Sequence, residues 1–250
     1  MLMQYQGREH KTLLDEKIFP VFVSPGEVVE VRIFDAFGKS SYWDGYARGI
    51  IAGYFDNFND FQKALGPLID TKLIFYFTLQ VIDPRIIGRA FNRLKVLKAT
   101  TSDNNVLFYK WIPLDFDPIR PTGISSTETE LAEALALRDR VHEYLLDTTE
   151  FQDIISAVSG NGGHILIRLP EYLPVNDDSK TFVQGFINNI HEAFSTDSVD
   201  IDTTVFNPAR IWKLYGTTAR KGDEIPANEY RGAQRHRLAY IDSMGSLDVN

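Results

Sequence analysis

Cysteine is absent from this 250-residue chain. That excludes disulfides and thiolate-held zinc or iron–sulfur sites, and it suits a reducing cytoplasm, the expected location. No apolar run reaches the roughly 18 residues a membrane helix needs, and no secretory signal pattern is seen, so no membrane partner is expected. Excess positive charge is missing too: 34 acidic side chains outnumber 26 lysines and arginines, a formal net charge of −8. This argues against a surface that coats nucleic acid. It leaves room for an enzyme that concentrates acids at a metal site and grips a strand locally. Repeats, low-complexity tracts and obvious linkers are also lacking. What remains is globular in character, 44% hydrophobic and 12% aromatic. It suffices for one large domain, or two closely packed ones, with a sizeable core.

The chain is organised around Leu107–Pro121, LFYKWIPLDFDPIRP. Its apolar and aromatic run predicts a strand buried on both faces. Two carboxylates, Asp115 and Asp117, stand at its end. Side chains at i and i+2 of a strand share a face, so both project together and repel unless a cation lies between them; a hard divalent ion with oxygen ligands suits. An acid-x-acid triplet should arise by chance about five times in a chain this acidic. The buried strand before the pair and the Pro118/Pro121 exit after it therefore carry the argument, not the triplet itself.

Before that strand, residues 1–27 are mixed and end in a Ser24-Pro25-Gly26 turn. Val28–Phe34 reads as a strand, the Gly-rich 42–55 stretch as a second strand pair, and 56–68 as a helix capped by Asn57 or Asn59. Leu73–Leu79 is a further buried strand, with a short helix around Pro84–Leu94. After Pro121, Thr127 and Glu130 form a capping box at the head of a long helix. Ile154–Val158 and His164–Leu169 are β runs joined by a Gly-rich hairpin. Phe182–Phe194 marks an amphipathic helix and Val199–Val205 a last strand. The tail from Ala219 looks basic, polar and disordered. The alternation predicts an α/β or α+β class with helices on one side of a sheet.

Three more stretches carry possible chemistry. In Ser159-Gly160-Asn161-Gly162-Gly163-His164, small residues permit close backbone approach and consecutive N–H groups can cradle an anion. Val199–Thr203 bears Asp200 and Asp202 two apart. The segment Asn207–Gly222 places Arg210, Lys213, Arg220 and Lys221 beside glycines, a composition suited to polyphosphate. Singly, these read as a glycine hairpin, a strand entering a turn and a solvated basic turn. In order they supply what metal-dependent nucleotidyl transfer needs.

The strings WIPLDFDPIRPTGISSTETE, SGNGGHILIRL and VDIDTTVFNPARIWKLYGTTARKGD together resemble the catalytic domain of archaeo-eukaryotic primases. The likeness is greatest to the primase-polymerase branch of plasmids, phages, archaeal replicons and CRISPR-associated proteins. It covers roughly residues 28–240. It implies an α+β (α/β) fold with an RRM-like catalytic sheet, about 107–240, packed on an N-terminal α/β unit, about 28–106. Residues 1–27 would be a leader or docking segment and 241–250 a tail. The resemblance implies that Asp115, Asp117 and Asp202 hold two Mg²⁺ or Mn²⁺ ions, with Asp200 the alternative register for the third ligand. It implies nucleotide contacts from Ser159, Gly162, His164, Arg210, Lys213 and Lys221, with glycine at 162 and 163 keeping bulk away from the triphosphate. The implied partners are a single-stranded DNA template, a primer strand and NTP or dNTP. Unwinding would fall to a helicase or to replicon or CRISPR proteins of the parent system, because no helicase motif or Cys/His zinc module is present. The implied activity is DNA primase or polymerase chemistry. A non-catalytic nucleic-acid-binding replication module and a metal-dependent phosphodiesterase are the alternatives.

Overall fold

By Leu13 the chain is already part of the core. The computed structural model describes residues 10–247; 1–9 and 248–250, the outer parts of the expected leader and tail, lie outside the described residues. Leu13, Ile18, Val23 and both phenylalanines of helix α1 (Phe19–Phe22) are buried in the main core. β1 (Val29–Gly38) turns Val31 and Ile33 inward and pairs with β2 (Ala47–Phe55). The second strand pair expected over 42–55 is instead a loop followed by β2 alone, since Gly45, at φ +97°, turns the chain beneath Val96. α2 (Phe58–Leu65) starts at Asn57, whose side chain accepts the Asp60 N–H at 2.9 Å. β3 (Ile74–Thr78) and β4 (Val81–Ile82) follow. The helix expected near 84–94 shortens to a 3₁₀ turn over Pro84–Arg89, because the chain must straighten to pair β5 (Leu94–Lys95) with β2.

β6 (Val106–Pro118) is the expected central strand and carries Asp115 and Asp117 on one face. α3 (Glu128–Thr148) begins at the Thr127/Glu130 capping box. β7 (Ile154–Val158) and β8 (Gly163–Pro174) form the hairpin, and Asn176 caps α4 (Asp177–Phe194). β9 (Val199–Ile201) is shorter than the strand expected over 199–205. Asp202 ends it by accepting the Thr204 N–H, which opens a 3₁₀ turn. β10 (Ile211–Lys213) then leads to β11 (Thr218–Ala219), β12 (Arg237–Leu238) and β13 (Tyr240–Ser243). The tail expected to be disordered is thus built into the fold. β13 pairs with β7, Ile241 and Met244 are buried, and Asp242 is ion-paired to the buried Arg138 at 2.7 Å.

The named strands pair antiparallel, so the class is mixed α+β. One sheet runs β10-β3-β1-β2-β5; the other runs β13-β7-β8-β6-β4, with β9 also paired to β6. α3 and α4 lie against β6, away from the face that bears the aspartates. Proline inside β6 is tolerated at Pro113 because the side of β6 away from β8 has no partner strand between β4 and β9. Gln80 serves that gap: its Oε1 accepts the N–H groups of Lys110 and Trp111, and its Nε2 donates to the Trp111 carbonyl.

Lys110 ties the N-terminal segment to β6. Its buried Nζ donates to Glu27 at 2.6 Å, to the Phe22 carbonyl at 3.0 Å and to Ser24 Oγ at 3.1 Å. Burial, outweighing the Glu27 charge, pulls its ammonium down to about 8. The folded pKa lies below the unfolded one, so the cost of burying the charge is full below pH 8 and fades as pH rises toward the unfolded value. Glu27→Ala strands that charge and should cost about 3 kcal/mol at pH 7. The loss should shrink at pH 9, where Lys110 is neutral in the folded protein; urea unfolding at the two pH values checks both signs.

Candidate functional site

Strand alternation projects Asp115 and Asp117 from the end of β6 into a cavity of about 320 Å³. His164 is Asp115's direct partner across the β6–β8 ladder, so their side chains share a face, and Nε2 stands 3.4 Å from Asp115 Oδ1. The other ring nitrogen meets the Tyr215 hydroxyl at 2.8 Å, and that hydroxyl accepts the Trp212 indole N–H at 2.9 Å. Trp212 can only donate, which leaves the phenol proton for His164 Nδ1. In the neutral imidazole the proton therefore sits on Nε2, toward Asp115. Burial pushes the Tyr215 phenol far up, so it keeps its proton. The His164 ring lies against Trp212, centroids 4.3 Å apart.

The two carboxylates titrate apart. Burial alone would raise Asp115, but the charges and hydrogen bond around it, His164 first and then Lys221 and Arg210, leave it lowered. Asp117 is raised, chiefly by the Asp115 charge and then by burial, although Lys221 and Arg120 oppose this. Arg120 reaches Asp117 at 3.5 Å. Both groups are oxygen acceptors, the donor chemistry of Mg²⁺ or Mn²⁺. Asp202 lines the same cavity but is engaged elsewhere: Oδ1 accepts from the Thr204 N–H and hydroxyl, and Oδ2 accepts from Arg210 at 3.1 Å. Among the described residues no three Asp, Glu or His side chains converge as a metal-binding group. Asp200 faces Asp117 across the β6–β9 register, yet its carboxylate pairs with His191 at 3.2 Å and does not line the cavity.

The basic residues arrive from several elements. Arg210, Lys213, Arg220 and Lys221 all line the cavity. Lys213 is buried, donates to the Thr218 carbonyl at 3.1 Å and lies over the Tyr76 ring. Burial, with some help from the Arg220 charge, pulls it down to about 7. Sequence reasoning missed Tyr76, which β3 supplies without any motif, left Trp212 and Tyr215 without roles, and counted Arg220 only among the cations suited to polyphosphate. Their place inside the 207–222 segment was the available signal.

No family model matches the chain, and no curated protein matches it.

The glycine loop differs from its expected use. Ser159 Oγ accepts the Gly162 N–H at 2.9 Å and donates to the Gly162 carbonyl, while Asn161 Oδ1 accepts the Ser126 N–H. The Gly162 amide expected to cradle an anion is therefore spent within the turn. Glycine at 162 is demanded by the strand beside it: a Cβ would sit 2.1 Å from the Phe116 carbonyl oxygen. At 163 a Cβ would meet the Arg138 stem at 3.0 Å. Both glycines seat the loop against its neighbours, and at 162 a Cβ would also come 3.4 Å from the Asp117 carboxylate in the cavity; Ser159 and Asn161 line the cavity wall. Gly162→Ala should accordingly cost about 2 kcal/mol or more of stability, by pushing β8 off β6. Thermal unfolding decides: an unchanged melting temperature with weakened ligand binding would restore the ligand-clearance role.

Proposed function

We propose that the chain is a nucleotidyltransferase of the primase-polymerase type, its β6–β8 sheet serving as the RRM-like catalytic sheet, joining a 3′-hydroxyl to the α-phosphate of an NTP or dNTP on a single-stranded template. The observation that carries this reading is convergence. Paired carboxylates, His164 and four cations, drawn from distant parts of the chain, line one cavity. A hydrolase of phosphodiesters needs the carboxylates and has less use for the four cations, which match a triphosphate.

Asp115 and Asp117 are the residues that would hold divalent metal, with Asp202 as the third ligand. Bound there, the ions would activate the 3′-hydroxyl and offset charge on the departing pyrophosphate. Arg210 and Asp202 supply a way of coupling the two substrates. Their ion pair is partly exposed, with side-chain exposures of 40% and 28%, and such pairs are worth about 0–1 kcal/mol. A charge-assisted bond from Arg210 to phosphate is worth about 1.5–3 kcal/mol. An arriving triphosphate would compete for Arg210, leaving Asp202 Oδ2 without that partner and available to a divalent ion, while Oδ1 stays held by Thr204. His164 Nε2–H, aimed into the cavity beside Asp115, donates to a phosphate oxygen, while Tyr215 and Trp212 hold the ring in place.

Incubation with a single-stranded template, Mg²⁺ or Mn²⁺ and labelled nucleotides, with and without an annealed primer, should give extended product. Asp115→Asn and Asp117→Asn should abolish it while the protein stays folded, since removing one charge relieves the pair. Product from either variant at the wild-type rate would defeat the assignment, and strand cleavage in place of extension would favour the phosphodiesterase.

Lys213 supplies a pH signature. A bound triphosphate favours its charged form, so its pKa rises on binding from about 7. Nucleotide affinity should be greatest below pH 7 and fall above it, and binding at pH 8 should take up a proton. Calorimetry in buffers of different ionisation enthalpy reads that proton, and Lys213→Met should remove the buffer dependence.

A further inference from the structure

The five-stranded sheet has one face in the core; on the other face Ala52, Tyr54 and Lys213 are also buried, while Ile50 and Phe37 at the far end of β1 and β2 stand open. Val31, Ile33, Ile51, Phe75 and Phe77 point inward. On the other face the register sets Lys213 beside Tyr76, Tyr76 beside Arg32, Arg32 beside Ala52 and Ala52 beside Lys95. The next row is Ile74, Phe34 and Ile50, followed beyond a bulge by Phe37 and Arg48. Phe34 and Tyr76 meet edge to face at 5.6 Å. The row begins inside the candidate active site, because Tyr76, Ile74 and Lys213 line that cavity.

A second, wider groove of about 850 Å³ continues from it, sharing Ile74 and Arg220 with the cavity. Phe37, Tyr42, Trp43 and Lys72 line the groove beyond that junction. Phe37 is 68% exposed and Tyr42 49%, large rings standing in water. Arg220 marks the junction: one guanidinium nitrogen donates to the Thr71 carbonyl, another meets His236, and its buried Nε has no partner. Asp35, Asp223 and Glu224 also line the groove, so it is not uniformly basic.

Flat exposed rings between scattered cations, continuous with a nucleotide-sized cavity, match one chemistry. The geometry points to this groove and the exposed end of that sheet face as the track for an unpaired polynucleotide strand, stacked on Phe37 and Tyr42 and contacted at phosphate by Arg48 and Lys72. It rests on the nucleotidyl-transfer reading for the identity of the cavity. Stacking, not charge, carries the binding, in keeping with the acidic residues in the groove and the net charge of −8. Stacking is indifferent to base identity, since every base has a π-face. The track therefore takes strands of any sequence.

Fluorescence anisotropy with labelled oligothymidylate, oligouridylate and a DNA duplex tests this on the full chain, alongside titration of nucleotide with Mg²⁺. Phe37→Ala and Tyr42→Ala should each weaken single-strand binding about tenfold, with melting temperature and nucleotide affinity unchanged. Arg48→Ala should flatten the slope of log affinity against log salt by about 0.7. Phe182→Ala, an exposed ring on α4, should change nothing. DNA and RNA strands losing affinity in parallel would support a stacking track. Unchanged strand affinity in both ring variants would overturn the inference even if the wild type synthesises product. So would a duplex that binds as well as the single strand, or a loss equalled by Phe182→Ala. Strand affinity that depends on the two rings, in a protein that binds no nucleotide and extends nothing, would uphold the track and defeat the nucleotidyl-transfer reading.

Discussion

The mutual repulsion of Asp115 and Asp117 is the constraint to which the rest of the cavity answers. Strand geometry forbids the pair from turning away from each other, because residues two apart on β6 must share a face. Their charge is instead met from outside, by His164 across the ladder, Arg120 just past the strand and Lys221 from the far end of the chain. These neighbours lower Asp115 but leave Asp117 raised. The two carboxylates thus differ in how readily they hold a proton although they stand side by side among the same cations.

Around this pair the protein uses two kinds of holding. One is rigid: the Trp212–Tyr215–His164 chain is buried and hydrogen-bonded at each link, so the imidazole has a single orientation and a single neutral tautomer. The other is exchangeable. Arg210 and Asp202 meet near solvent, where an ion pair is weak and easily given up. Lys213 lies between these extremes, buried beneath Tyr76 and held by one carbonyl, so its charge depends on what enters the cavity. Rigid groups can orient a ligand, and exchangeable ones can register that it has arrived.

The same strand serves stability and site. The N-terminal half of β6 is anchored by Gln80 and the Lys110–Glu27 pair, and its C-terminal end carries the carboxylates. The loop before β8 must pass so near Phe116 that only glycine fits at 162. Packing against Phe116 is reason enough for glycine there, whatever enters the cavity beside it.

Local chemistry made much of this legible in the sequence. Period-2 alternation placed Asp115 and Asp117 on one face, the Thr127/Glu130 capping box marked the start of α3, and cation density singled out the 207–222 segment. Each depends on neighbours within a few residues, which a sequence displays directly. Tertiary structure alone decided that Tyr76 faces the aspartates, that the Gly162 amide is spent on Ser159, that Asp202 is held by Arg210, and that the tail completes a sheet through β13. Those outcomes turn on which distant groups come within hydrogen-bonding distance and which lose their water. Neither hydrogen-bond partner nor burial is a property of residue type; both arise only when two sheets close on one another.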